Sequence, residues 1–153
     1  MIAQRFAPLL WLLAGLFAAR VLAQPAALVI ESPLLPRFES WHSGILPYPV
    51  LLLSQVALLV WLARTAFVFR TGNVVGSFWV ARVAIAFGAV YFVVMLARLL
   101  LGLTLLAHVR WFASPIPTAF HLVLATYLLV FGYVHASHAR VQGGRSGIRV
   151  TSA

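Results

Sequence analysis

The residues best suited to chemistry in this sequence are its histidines. His121 and His135 stand fourteen positions apart on one apolar run. On a helix they would differ by about 40° around the axis and about 21 Å along it. That spacing resembles the ligand pattern of membrane b-type cytochromes, in which one helix gives an axial histidine to each of two haems. Each haem needs a second ligand at its own level. His42 and His108 are the candidates beside His121, whereas the level of His135 offers only His138 from the same helix, so at most one bis-histidine haem b is expected. His42, His108 and His121 also form the one candidate metal set, a poor one without a neighbouring Asp or Cys. The plainer expectation is interfacial histidines bonded to loops and headgroups.

A second set consists of residues that apolar surroundings penalise. Arg20 and Arg98 fall inside long apolar runs, and charge within a membrane marks a functional site. Counted inward from the expected outer ends, Arg20, Gln55, Arg98 and Thr126 all come about 12–15 Å deep. Each apolar segment would thus give one polar group to a common layer beneath an outward-opening pocket. Two cations at one depth repel, so an acceptor is expected there: Glu31 or Glu39 folded inward, a lipid phosphate, a cofactor carboxylate or backbone carbonyls. Glu31 is favoured because it directly follows the first segment. The alternative is that the arginines merely satisfy carbonyls and a folded-in loop.

The elements that must position these groups follow from composition. Hydrophobic residues make up 63% of the chain and charged ones 8%, which no water-exposed surface can be built from. Crossing a bilayer core of about 30 Å takes about 20 apolar residues in a helix. Four such runs occur, at 6–30, 46–69, 78–107 and 116–134, separated by breaks at 31–45, 70–77 and 108–115. The expected fold is all-α: a polytopic membrane protein with four transmembrane helices in a bundle. Residues 1–139 would form this domain, with an outer loop at 31–45, and 140–153 a mobile basic tail without apolar periodicity.

Arg5, an apolar run and Val21-Leu22-Ala23 imitate a cleavable secretory signal, but Arg20 just before that site argues for an uncleaved helix. Arg5, Arg64, Arg70, Arg140, Arg145 and Arg149 fall at the termini or the second break, with Arg82 one turn inside, against Arg37 and Arg110 opposite. The positive-inside rule then puts both termini in the cytoplasm and Glu31, Glu39, His42 and Trp111 outside. Trp11, Trp41, Trp61, Trp79 and Trp111 read as headgroup anchors, mostly near segment ends.

The net charge of +9 sits on scattered arginines rather than on a polar face, which argues against nucleic acid. The absence of cysteine excludes disulfides, thiolate nucleophiles, iron–sulfur clusters and covalently attached haem. Without Asp there is no Ser/His/Asp set, and no glycine-rich phosphate loop occurs. These points argue against catalysis by this chain alone. Gly88, Ala89, Gly102, Ala125 and Gly132 permit close helix contact. The expected role is binding, as an accessory or structural subunit of a larger inner-membrane complex, with the bilayer and other membrane subunits as partners. The alternatives are an electron-transfer module holding one haem b or a quinone, and a small transporter.

Trp41-His-Ser-Gly-Ile-Leu-Pro-Tyr48, Arg110-Trp-Phe112 and Pro117-Thr-Ala-Phe-His121 resemble an uncharacterised family of small bacterial four-helix inner-membrane proteins. The resemblance covers most of the chain and implies a four-helix fold in a bacterial inner membrane. It carries no activity or ligand. Ala113-Ser114 stands where that family is expected to have glycines.

Overall fold

The computed structural model describes residues 2–29, 47–109, 112 and 115–150, with side chains over 2–27, 47–109, 112 and 115–142. It contains four helices: α1 (Ile2–Val29), α2 (Tyr48–Thr71), α3 (Phe78–Leu103) and α4 (Pro115–Val150). Each is long and apolar enough to cross a membrane.

Local chemistry sets the ends. α2 starts behind Pro47, with Pro49 in its first turn, where a missing N–H breaks no helical bond. It stops at Gly72, whose φ of 76° is left-handed and whose N–H donates to the Phe69 carbonyl at 3.2 Å. The Ser77 hydroxyl caps α3, accepting from the Val80 N–H at 3.4 Å. α3 ends at Leu103, short of the apolar run: residues 105–107 continue as turns, with the Leu106 N–H donating to the Leu101 carbonyl at 2.8 Å. α4 does the reverse. Its apolar span reaches Gln142 and its helix Val150, well past 134. Polar side chains there are accommodated by their own helix: Ser137 donates to the Tyr133 carbonyl and His138 Nδ1 to the Val134 carbonyl, both at 2.9 Å. Polarity ends an apolar run without ending a helix.

α1 is the most enclosed of the four helices. Its buried residues Ala3, Ala7, Leu10, Ala14, Phe17, Val21 and Gln24 recur at alternating steps of four and three, the seam spacing of packed helices. The three alanines let neighbours come close. α1 packs on α2 and on α4, and α4 packs most extensively on α3. Between α3 and α4 the approach depends on glycine, since a Cβ at Gly132 would come within 2.8 Å of Ile85 Cγ1 and 3.1 Å of the Ile85 backbone nitrogen. The connection after α2 lies directly on α4, where a Cβ at Gly76 would overlap the His138–Ala139 backbone.

Among the described residues α2 and α3 make no close backbone approach. α2 reaches α4 through side chains, among them long aromatic ones: Trp61 meets Tyr127 at 6.0 Å and Phe131 at 5.6 Å, and Phe69 stacks on Phe131 at 5.9 Å. Trp61 therefore lies past the middle of α2 as a packing residue, while Trp79 stands exposed at the start of α3. Trp41 and Trp111 lie outside the described residues.

The buried Tyr127 hydroxyl donates to the Leu62 carbonyl at 2.7 Å. Tyr127→Phe is expected to cost about 0.6 kcal/mol, the average for hydrogen bonds between membrane helices, read by reversible unfolding in micelles. A loss beyond about 2 kcal/mol would show that this bond, rather than the surrounding rings, ties α2 to α4.

Candidate functional site

Arg20 sits beside the buried seam of α1 and is 7% exposed, and Arg98 on α3 is 6% exposed. Both line a cavity of about 300 Å³ together with Ser54 and Gln55 of α2, Tyr91 of α3 and His121 of α4. All four helices contribute. From the helix ends on that side, Arg98 lies about 7.5 Å deep, His121 about 9 Å, Gln55 about 10.5 Å and Arg20 about 13.5 Å. The earlier end of α3 brings Arg98 nearer the surface than its apolar run suggests.

The Arg20 guanidinium lies 5.5 Å from the centre of the Phe120 ring on α4, a cation–π contact that desolvation strengthens. Tyr91 Oη and His121 Nδ1 are hydrogen-bonded, with their rings edge to face at 5.8 Å. The Ser54 hydroxyl donates to the Leu51 carbonyl at 2.7 Å. Gln55 is 5% exposed and its Oε1 is buried without a hydrogen-bond donor. Buried acceptors are rarely left in that condition, so the cavity wall offers an acceptor to a donor. The lining is thus rich in donors to an acceptor or anion, with one acceptor seeking a hydroxyl or amine.

Of the sequence-derived layer, Arg20, Gln55 and Arg98 come together here and Thr126 does not. The Thr126 hydroxyl donates to the Leu122 carbonyl of its own helix at 2.8 Å. Lying five residues past His121, it is turned about 140° around the α4 axis. His121, read from the sequence as a possible haem or metal ligand, lines the same cavity. Tyr91 and Ser54 were not in the expected layer. Tyr91 had a signal in the sequence, since it precedes Arg98 by seven residues and so shares its helix face.

The other histidines go elsewhere. His135 packs against Phe69 at 6.0 Å and Phe131 at 4.5 Å, beside a separate cavity lined also by Arg64 and Thr65. His108 is exposed in the turns after α3. Neither lines the cavity with His121, so the described residues bring one axial candidate for haem to this cavity rather than a pair. Among the described residues no three His, Cys, Asp or Glu side chains gather as a metal site. Glu31, Glu39 and His42 lie outside the described residues, as do Arg37 and Arg110.

Four apolar helices around a polar cavity define a multi-pass membrane protein. No protein family, curated protein or solved structure matches the chain.

Proposed function

We propose that this chain is a multi-pass protein of the bacterial inner membrane, its helices a bundle with both termini cytoplasmic, which acts by binding a ligand between Arg20 and Arg98. In this reading it serves as an accessory subunit of a larger inner-membrane complex. The observation that carries the binding role is the convergence of buried polar side chains from all four helices on one cavity. Charge within membrane helices is placed for function, and both buried arginines line this one cavity. The subunit role draws support from α3, whose Phe87, Val90, Val93 and Leu100 stand exposed and apolar on one side of the molecule. Electron transfer through a bound quinone is the second reading, favoured by the Tyr91–His121 pair, which would hold a proton beside a carbonyl of the ligand.

Native mass spectrometry of the protein drawn from its own membranes in mild detergent tests the binding role. A non-covalent adduct is expected on the wild type and absent from Arg98→Gln and Gln55→Leu. Bare wild-type protein, or an adduct held equally by all three, would sink the reading. A Soret band in the wild-type sample that His121→Ala abolishes would reassign the cavity to haem.

A further inference from the structure

Three features of the cavity narrow what it takes. Its volume of about 300 Å³ is at the low end of ligand sites, which run about 300–1,000 Å³. It holds a polar head rather than a whole lipid or a large cofactor. Its walls are closed where α2 packs on α1, α1 on α4 and α4 on α3, while among the described residues α2 and α3 make no close backbone approach. Among the described residues an open side therefore faces sideways, between Leu51, Ser54 and Leu58 on α2 and Tyr91 on α3, and Ser54 is exposed there although it also lines the cavity. A molecule dissolved in the bilayer reaches such an opening directly.

The chemistry inside selects the head. Two arginines from different helices line one small space, and guanidinium forks match the oxygens of phosphate or carboxylate. The orphan Gln55 Oε1 adds a requirement that a bare phosphate diester does not meet, namely a hydroxyl or amine donor on the same head.

Building on the binding role above, we propose that the cavity receives the head of an anionic phospholipid carrying a headgroup hydroxyl, which enters sideways between α2 and α3. The phosphate lies between Arg20 and Arg98, the hydroxyl donates to Gln55 Oε1, and the acyl chains stay in the gap against Leu51 and Leu58. Because the phosphate leaves the headgroup layer for a site about 8–14 Å below the helix ends, the tails are needed to deliver it.

The test offers delipidated full-length protein four probes in matched micelles, namely phosphatidylglycerol, phosphatidylmethanol, phosphatidylcholine and water-soluble glycerol phosphate, with occupancy read by native mass spectrometry. Wild type is expected to retain phosphatidylglycerol at least about tenfold over phosphatidylcholine, the scale of hydrogen bonds to charged groups. It is expected to prefer phosphatidylglycerol to the hydroxyl-free phosphatidylmethanol by a few-fold. Gln55→Leu, which adds no polar burden to a membrane helix and so keeps the fold, should bind those two equally. Arg20→Gln and Arg98→Gln should lose the preference over phosphatidylcholine. Equal retention of phosphatidylcholine, or an unchanged hydroxyl preference in Gln55→Leu, would overturn the proposal. So would glycerol phosphate binding as well as the lipid, which would mean a free anion entering from water. A quinone retained from native membranes in place of any phospholipid would overturn this inference and leave the binding role standing.

Discussion

Replacing Gly132 with leucine is expected to lower stability by about 3 kcal/mol or more, the upper range for overpacking a well-filled interior. At this position even a methyl group would lie 2.8 Å from Ile85 Cγ1, 3.1 Å from the Ile85 nitrogen and 3.2 Å from the Ala81 carbonyl oxygen. A side-chain rotamer change relieves only the first of these. The backbone of α3 must move to relieve the other two, and α3 holds Tyr91 and Arg98 in the cavity, so ligand retention should fall with stability. Gly15→Ala is the matched control. Beyond the adjoining backbone of its own helix nothing lies within 4 Å of a Cβ at that position, and alanine is favoured over glycine in a helix by up to about 1 kcal/mol. Unfolding in micelles that finds the two substitutions equally harmful would show that α3 and α4 are not in close contact through Gly132.

The second large effect concerns sidedness and is all or none. A reporter that works only in the cytoplasm is expected to be active when fused after Ala153 or inserted at the exposed Asn73, and silent at His108. Arg5, Arg64, Arg70, Arg82 and Arg140 all lie toward the end of the molecule that contains Asn73, and that bias sets orientation across the inner membrane. A silent tail fusion together with an active one at His108 would reverse the proposed orientation and turn the Arg20–Arg98 cavity toward the cytoplasm.

The four helices were legible because about 20 consecutive apolar residues have few other uses. Their ends were less so. Leu105, Leu106 and Ala107 prolong the apolar run beyond the real end of α3, and Ser137 and His138 interrupt it inside α4, where both satisfy themselves on their own helix. Counting depth along each segment found Arg20, Gln55 and Arg98, whose long polar side chains are costly anywhere else in such a helix. The same count also took in Thr126, because depth says nothing of direction around the axis. A threonine hydroxyl can serve its own helix, whereas the Tyr91 phenol and the His121 imidazole meet each other across two helices. The packing of α4 against α3 in preference to α2 left no mark in hydropathy, which is similarly apolar around every helix.

The missing approach of α2 to α3 also bears on how the molecule is put together. The helices that follow one another on either side of it, α1 with α2 and α3 with α4, pack as partners, and the α1–α4 seam joins the two pairs. The chain is thus two helical hairpins, each able to enter the bilayer as a unit before they meet. Arg20 and Gln55 arrive with the first hairpin, Tyr91, Arg98 and His121 with the second. Until they dock, each hairpin carries one arginine that has no cavity to face. The cavity is therefore a product of docking, complete only when both halves have been inserted and have met.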